Sequence, residues 1–557
     1  MNIRKNYKFR SGAVLLVVLI IIMVITILSL GFISRSDVEL ACGRNMVLRE
    51  QMDYLAESGH EQAKGLILNP QDVEGENGQY YKGAAGLQLV DGSNDYYDIS
   101  VSLDESDPTD RCNYIIDSNA YEMRDGQKVG QSNLRAYLRL DPCIALWSGD
   151  NLALTDSMSI YGDIYCDGDL TNQGTIAGDV FADKFLGLTN SKTGQLYETS
   201  KLSLVWPEIT VDGFDDKPGV TYYSGNYTLS SDIEGMLLID GDLIVQDGLS
   251  LTVTATKNLP AIYVTGDLII GKSSVLNISG LAVVDGHVFL DDNANINDEG
   301  AVFAKKGVFE IAADSSSNNT YLSLFNGAER SQGESGGGLK LDGSNDYAEA
   351  ENESIFDIRD QITVAAWIKV GAFNKSYQAI VTKGDSGWRI QRYSSTNYIE
   401  FACTGINLNQ YGQIWSNTPI TADNQWHHVA GVYDGSTISV YIDGVRDNWK
   451  NATGLINEND YKVMVGKNAQ EDGRNWNGWI DDIQIYNTGL EPNDIKIIKD
   501  GTTLSGLVAH WKFDETASDI SITAAPEKAA IIIPDVSGTE KKWGQAAGAF
   551  YKSIERR

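Results

Sequence analysis

The distribution of apolar residues divides the chain into a helical N-terminal part and a long remainder with the alternation of β-strands. The uncharged run Ala13 to Ile33, roughly 21 residues, is long enough to cross a hydrocarbon core as a helix. From Ser36 to Leu68 there is no proline, and apolar residues recur at helical spacing. We therefore predict one long helix that spans a membrane and then continues outside it.

The charges on either side of the apolar run predict its orientation. Basic residues precede it and acidic residues follow it, namely Arg4, Lys5, Lys8 and Arg10 before, and Asp37 and Glu39 after. By the positive-inside rule the N-terminus stays in the cytoplasm and the bulk is exported. The run is longer than the apolar region of a secretory signal, so we expect an uncleaved single-pass anchor in the cell inner membrane.

Three stretches after the helix alternate polar and apolar residues, as half-buried strands do. They are Tyr97 to Leu103, Tyr114 to Arg124 and Asn133 to Leu140. A long helix on a small antiparallel sheet makes an α+β domain over residues 34–140.

The first 70 residues also carry a family resemblance. RSGAVLLVVLIIIMVITILSL from Arg10 and AESGHEQAKGL from Ala56 resemble the start of type IV pilin-like proteins, above all PilX-type minor pilins and K-type minor pseudopilins of type II secretion. The resemblance implies a leader of residues 1–12, cleavage between Gly12 and Ala13, and other pilin-like subunits as partners.

Two positions depart from the pattern of the major pilins. Ala13 stands where most pilins have phenylalanine, and Val17 stands at the fifth mature position, where major pilins have glutamate. The minor proteins resemble this chain in lacking that glutamate. The resemblance therefore implies a tip or initiating subunit, while the same departures put cleavage at Gly12 in doubt.

A repeat of glycine, a polar residue and alternating aliphatics runs through residues 141–312. Its later units begin at Gly241, Gly266, Gly286 and Gly307, which are 25, 20 and 21 residues apart. That spacing is typical of one turn of a β-solenoid, with glycine at a corner and aliphatics stacked inside. The nonapeptide calcium repeat is absent, so the aspartates after glycine are expected to stabilise turns.

The stretch 313–338 is rich in serine, asparagine and glycine, as SSSNNT and SQGESGGG show, and it is predicted to be a linker. After it, four motifs follow in order, beginning at Leu339, Ile362, Gln425 and Trp476: LKLDGSNDY, ITVAAWIKV, QWHHVAGVYDGSTISVYIDGV and WNGWIDDIQIYNTGL. Together they resemble a LamG-type, concanavalin-like jelly roll over residues 339–500.

The phrase GLVAHWKFDE from Gly506 normally opens a domain of this family, but here it follows one. Residues 501–557 are therefore either the closing strand of a permuted domain or a truncated second repeat. The expected fold class is mainly β and multidomain: a transmembrane pilin-like helix with a small α+β domain, a central β-solenoid and a C-terminal β-sandwich jelly roll.

The same resemblance implies a calcium site, because hard oxygen ligands lie close together where the DG-x-x-D turn meets the acidic pair of the last motif. The implied ligands are Asp342, Asn345, Asp346, Asp481 and Asp482. The alternative is that these side chains only accept backbone N–H bonds in turns.

Aromatic residues in irregular stretches are the predicted ligand-binding residues, because aromatic faces stack on sugar CH groups. Trp367, Trp426 and Trp479 lie in strand-like alternation and are expected in the core instead. The predicted binding residues are Trp388, Tyr393, Tyr398, Tyr411, Trp415, Trp449 and Trp476.

Composition narrows the function further. A formal net charge of −32 argues against nucleic acid as a partner, because phosphates would be repelled. Five cysteines without a C-x-x-C pair give no support for a zinc site. Cys112 and Cys143 are either a disulfide or buried free thiols.

No catalytic signature occurs in the sequence: E-x-D-x-x-E, G-x-S-x-G, H-E-x-x-H and a P-loop are all absent. We therefore expect a non-catalytic minor pilin-like surface protein that presents a carbohydrate- or protein-binding module. The alternatives are a type II secretion pseudopilin that contacts cargo at a fibre tip, and a surface polysaccharide-active enzyme.

Overall fold

The computed structural model describes residues 11–68, 81–106, 112–187, 194–514, 518–529, 531–534, 540–543 and 549–556, except 203, 205, 257–258, 313, 319 and 351. Residues 1–10 of the predicted leader lie outside the described residues.

The N-terminal helix is continuous, as predicted. α1 (Ser11–Leu68) has 58 residues, which at 1.5 Å per residue is about 87 Å. From Val14 onward it is long and apolar enough to cross a membrane, and its apolar side chains are exposed there. Near its other end Met52 and Ala56 are buried, because that end packs on a sheet.

That sheet confirms the three predicted strands. They pair antiparallel in the order β1, β2, β3, and they are β1 (Asp95–Leu103), β2 (Asn113–Arg124) and β3 (Gln127–Leu140). A disulfide between Cys112 and Cys143 ties the start of β2 to the segment after β3. Cys166 and Cys403 are buried free thiols and Cys42 is an exposed one.

Residues 144–312 form a block of short strands, here called the central block. Its strands are β4 (Ile144–Ser148), β5 (Leu152–Leu154), β6 (Ser159–Tyr161), β7 (Asp163–Cys166), β8 (Asp169–Asn172), β9 (Thr175–Ala177), β10 (Val180–Phe181), β11 (Lys184–Gly187), β12 (Leu196–Tyr197), β13 (Val220–Ser224), β14 (Tyr227–Leu229), β15 (Ile233–Glu234), β16 (Met236–Asp240), β17 (Leu243–Val245), β18 (Ser250–Thr254), β19 (Ile262–Val264), β20 (Leu268–Ile270), β21 (Val275–Val284), β22 (Val288–Leu290), β23 (Asn295–Ala304) and β24 (Val308–Ala312).

Successive strands of the central block pair in parallel, and aliphatic side chains lie over one another. Leu237 pairs with Ile262, Ile262 with Ala282, and Ala282 with Val302. Val302 then pairs with Leu146 of β4, so two runs of stacked strands meet inside the block. All five side chains belong to one buried core. The strands are ordered as open sheets, and a closed solenoid stays a prediction.

The aspartates that follow glycine connect neighbouring strands of the block. Asp163 Oδ1 accepts the amide of Asp179 at 2.8 Å, and Asp242 Oδ1 accepts that of Asp267 at 2.9 Å. Asp267 Oδ1 in turn accepts the amide of His287 at 2.7 Å. Each carboxylate therefore stabilises the turn of the next repeat, which is the role predicted from the sequence.

The C-terminal module is a sandwich of two sheets with a short helix on one outer face. Its elements are β25 (Leu322–Phe325), β26 (Glu329–Gln332), β27 (Gly337–Asp342), β28 (Tyr347–Ala350), β29 (Ile362–Val370), β30 (Ala379–Thr382), β31 (Trp388–Arg392), β32 (Ile399–Cys403), β33 (Gln413–Trp415), β34 (Trp426–Tyr433), β35 (Thr437–Ile442), β36 (Val445–Asn451), β37 (Met464–Val465), β38 (Asn477–Tyr486), α2 (Pro492–Lys499) and β39 (Leu507–Trp511).

The first sheet of the module has the order β25-β28-β37-β30-β31-β32-β33, and the second has the order β26-β27-β38-β29-β34-β35-β36, with β39 on β38. One apolar core fills the space between them. We call the face of each sheet that points away from this core its outer face.

The predicted linker over 313–338 is wrong. Leu322 and Leu324 of β25 are buried in the module, and β25 pairs with β24 of the central block. The first sheet of the module is thus a continuation of a sheet of the central block. Serine and glycine in this stretch mark tight turns between short strands rather than a flexible spacer.

The C-terminal segment does not form a second repeat in its described residues. β39 pairs with β38 and closes the module, as the permuted alternative expects. The chain then returns to the other parts of the molecule through β40 (Asp519–Ala524), α3 (Pro526–Ala529), β41 (Ile531–Pro534), β42 (Glu540–Trp543) and β43 (Ala549–Arg556).

Two of these strands complete sheets that begin far earlier in the chain. β40 lies between β23 and β6 of the central block and is parallel to both. β43 pairs antiparallel with β3, and Arg556 Nη2 lies 2.9 Å from Asp53 Oδ2 of α1. The last residues therefore hold the central block and the N-terminal domain together.

Candidate functional site

The five implied calcium ligands do not converge on one point. Asp342 lies opposite Asn477 in the pairing of β27 with β38, and Asp481 lies four residues further along β38. At about 3.3 Å per residue the two acidic groups are about 13 Å apart. No group of three or more Asp, Glu, His or Cys among the described residues is arranged to hold a metal ion. A single site from all five residues is therefore wrong.

The first acidic group forms a turn. Asp346 Oδ2 accepts the amide of Asp342 at 2.9 Å, and Asp342 Oδ1 accepts the amide of Ser344 at 2.6 Å. The backbone carbonyl of Asn345 accepts a hydrogen bond from the side-chain Nδ2 of Asn326 at 3.1 Å. Burial raises the pKa of Asp346 to about 7, and the nearby Asp342 charge adds to this rise. These contacts match the alternative in which the side chains stabilise a turn.

The second acidic group lies at a β-bulge, where β38 has one residue more than β29 between Ala365 and Trp367. Asp481 Oδ2 accepts the amide of Glu334 at 2.8 Å, and burial raises the pKa of Asp481 to about 7. Asp482 is bonded to the His510 ring. Both aspartates line a cavity of about 280 Å³ beside Trp367.

Two of the predicted binding residues belong to the core, which corrects the sequence prediction. Trp388 is fully buried in β31 and its Nε1 donates to the carbonyl of Phe356 at 3.1 Å. Trp476 is fully buried just before β38 and packs edge-on against Phe373. The irregular sequence around them does not reveal the strand register that places them inside.

Two other predicted residues come together on the outer face of the first sheet. The rings of Tyr393 and Trp415 are stacked, with centroids 4.2 Å apart and planes 6° apart. Trp415 pairs with Glu400, whereas the neighbouring Ile399 and Phe401 point into the core, so Trp415 faces outward. With 37% of its surface exposed, Trp415 offers an aromatic face to solvent.

Polar side chains adjoin this stacked pair on the same face. Gln391 Nε2 donates to Glu400 Oε1 at 3.1 Å, and Arg389 Nε lies 3.4 Å from the same oxygen. Burial raises the pKa of Glu400 to about 7, although Arg389 acts in the opposite direction. Among the described residues, Glu400 Oε2 and Gln391 Oε1 find no hydrogen-bond partner.

The remaining predicted aromatics do not join the pair. Trp449 is 50% exposed, but it lies on the outer face of the second sheet, opposite Ser439, with Arg446 over its ring. Tyr411 is exposed in the loop before β33, and Tyr398 is half-buried with its carbonyl bonded to the Tyr393 amide.

Of the three tryptophans that sequence reasoning assigned to the core, Trp367 is buried as expected, but the other two are not. Ile368 and Val370 point into the core, so Trp367 and Lys369 lie on the outer face of the second sheet. Trp426 and Trp479 pair with Lys369 and share that face. Trp367 is covered near α2, where its Nε1 donates to the Lys499 carbonyl, but Trp426 and Trp479 are half-exposed. The alternation in ITVAAWIKV could have placed Lys369 outside.

Several solved structures are similar to part of this chain. Three similar solved structures are the binding domain of Paraclostridial Mosquitocidal Protein 1 (18% identity, TM-score 0.29, 35% of this chain and 51% of that one), the binding domain of botulinum neurotoxin serotype G (16%, 0.28, 34% and 49%) and that of botulinum neurotoxin DC in complex with SialylT (19%, 0.27, 34% and 48%). This chain thus covers about half of each.

At such low TM-scores these likenesses carry no argument about function. No curated protein matches the sequence. The model of the Concanavalin A-like lectin/glucanases superfamily matches residues 342–496. This segment of the chain is therefore a concanavalin A-like domain.

Proposed function

We propose that the module is a non-catalytic carbohydrate-binding domain, and that the stacked Tyr393–Trp415 pair is its sugar platform. The observation that carries the proposal is the exposed Trp415 ring, which is fixed in place by Tyr393 on an outer face. Large exposed aromatic faces are unfavourable in water unless a ligand covers them. A sugar ring presents CH groups that fit such a face.

The polar residues beside the pair support the rings from within the sheet. Gln391, Glu400 and Arg389 lie on neighbouring strands of one sheet and are almost fully buried. The exposed ring of Trp415 is therefore the surface that a ligand meets.

The test is a glycan array probed with the full-length chain in detergent. We expect Trp415→Ala to lower the affinity for any array hit about tenfold, because one stacking contact is lost. Trp449→Ala is the matched control, since Trp449 is also exposed but lies on the other sheet. Equal losses in both variants, or no hit at all, would contradict the proposal.

Two further measurements use the same protein. Calcium binding stays a prediction, and hits that persist after chelation would remove calcium from the binding mechanism. Release of reducing sugar from a hit polysaccharide would replace the non-catalytic proposal with an enzymatic one.

We further propose that α1 is a pilin-type anchor and that the central block is a solenoid stalk that presents the module outside the cytoplasm. Support comes from the helix packed on the antiparallel sheet, the parallel in-register strands, and the Cys112–Cys143 disulfide, which suits an oxidising compartment. N-terminal sequencing of the mature protein tests the pilin assignment: a start at Ala13 supports it, and an intact Met1 contradicts it.

A further inference from the structure

A second aromatic surface lies on the opposite side of the module. Trp479, Lys369 and Trp426 stand in one row across the adjacent strands β38, β29 and β34. Their neighbours Ile368 and Ile480 point into the core, so this row projects from the outer face of the second sheet. We call these three residues the Trp–Lys–Trp row.

The lysine of the row is held by aromatic rings instead of by a carboxylate. Lys369 Nζ lies 4.1 Å from the ring centroid of Trp479 and 5.1 Å from that of Trp426. In the described part of the chain no acidic group lies within ion-pair distance of Lys369, whereas Lys340 on the next strand is paired with Glu329. In a chain with 76 acidic and 44 basic residues, an ammonium left without an anion is notable.

The row therefore offers three things to a ligand. Cation–π contacts fix the ammonium without using its N–H donors, so these remain available to an oxygen anion. The two indoles flank it with apolar surface that can stack on a sugar ring. Trp479 is fixed further, because its Nε1 donates to Ser331 Oγ at 3.2 Å.

The next row along the same strands carries charges of both signs. There Trp367 is paired with Asp481, and Lys499 Nζ lies 5.2 Å from the Trp367 ring centroid. This row is two residues, or about 7 Å, from Lys369. Lys369 is thus the cation of this face that lies between two indoles of one row.

We propose that the Trp–Lys–Trp row is a second sugar-binding subsite that selects a sugar ring with a carboxylate. The carboxylate lies on Lys369 Nζ and the ring lies against the indoles of Trp426 and Trp479. This subsite is on the other sheet from the Tyr393–Trp415 pair and does not depend on it.

The test compares methyl β-glucuronide with methyl β-glucoside by saturation-transfer NMR on the full-length chain in detergent. The two sugars differ only at C6, where the glucuronide has a carboxylate in place of a hydroxymethyl group. We expect the glucuronide to bind about fivefold more tightly, the size of an exposed ion pair. Lys369→Met should bring this ratio to about one, and Lys369→Arg should retain it. A ratio of about one in the unmodified protein overturns the proposal.

Matched variants separate this subsite from general charge effects and from the first platform. Lys462→Met removes a lysine of the module that is paired with Glu349 of the first sheet, and it should leave the ratio unchanged; a drop equal to that of Lys369→Met overturns the proposal. Trp479→Ala should weaken both sugars, and unchanged binding contradicts the role of the indole. In a Trp415→Ala background, which removes the first platform, Lys369→Met should still lower the ratio, so the two proposals can fail independently. Melting curves confirm that each variant is folded.

Discussion

The central block and the module differ in which segments of the chain supply their strands. The block takes its strands from residues 144–197, 220–312 and 519–524, and the last of these segments comes from beyond the module. The module takes all its strands from one uninterrupted stretch, 322–511. The difference shows that the module is an insertion within the central block, although the order of sequence motifs suggests separate domains in series.

Among the substitutions that test this difference between block and module, the one with the largest expected effect on stability lies in β40. Ile522 is fully buried between two strands of the block, so Ile522→Asp places an uncompensated carboxylate in the core, at a cost of more than about 4 kcal/mol. Hydrogen exchange read by mass spectrometry should show lost protection in β6 and β23 with little change in β29 and β34.

Ser521→Asp is the control for this substitution, because Ser521 is the preceding residue of β40 and is half-exposed. It should leave exchange in the block nearly unchanged. Equal deprotection of the block in both variants, or loss of protection in the module alone, would mean that β40 does not belong to the block.

A smaller effect is expected inside the module at Lys383. This lysine is 1% exposed, and its Nζ contacts Glu353, Asp357 Oδ1 at 3.1 Å and the carbonyl of Asn459 at 2.9 Å. Lys383→Met leaves both carboxylates without their cation and should cost about 3 kcal/mol. Exchange should increase in the module and not in the block.

Lys462→Met is the matched control, because Lys462 forms a more exposed pair with Glu349 in the same module. Such pairs contribute about 0–1 kcal/mol. If Lys383→Met destabilised the module no more than Lys462→Met, the buried cation would not be a stabilising element.

The smallest expected effect distinguishes a carboxyl of the module from one of the block. Burial raises the pKa of Asp346 to about 7, well above about 3.9 in the unfolded chain. The stability of the fold with protonated Asp346 is therefore fully present below about pH 4, and it falls as the pH rises to about 7, because ionisation is less favourable in the folded state than in the unfolded chain. Asp346→Asn should raise stability at pH 8 by about 1–2 kcal/mol and change little at pH 4, as urea melts can measure.

Asp163→Asn in the block should behave in the opposite way at pH 8. Asp163 Oδ2 accepts the amide of Cys143 at 2.6 Å while Oδ1 accepts that of Asp179, so an asparagine loses one acceptor. Burial raises the pKa of Asp163 to about 6. Because this pKa is still below 8, the carboxyl is mostly ionised at pH 8. Stabilisation by both substitutions would mean that the bonds of Asp163 do not offset its burial.

The local sequence pattern was sufficient to predict those elements whose partners lie nearby in the sequence. The alternation of Tyr97 to Leu103 and its two successors predicted the N-terminal sheet, and the order of four motifs predicted the module. The glycine–aspartate units predicted stacked repeats, and the carboxylate bonds between Asp242, Asp267 and His287 follow that repeat.

The local sequence pattern did not predict features that depend on the pairing of strands far apart in the sequence. The alternation of DISITA in β40 says that one face is buried, but it does not say in which sheet. The distance between Asp342 and Asp481 depends on the register of β27 with β38. Trp415 and Tyr393 were predicted as single exposed aromatics, and only the pairing of β32 with both β31 and β33 brings them together.

The position of β40 and β43 also has a consequence for the time order of folding. A ribosome makes residues 144–312 first, then the whole module, and only then the strand that fills the gap between β23 and β6. Until residue 524 has been synthesised, β23 and β6 each present an unpaired edge along this gap, and unpaired edges attract other strands. Early folding of the module, which lacks no strand of its own, would shorten the interval during which these edges are open to a neighbouring chain.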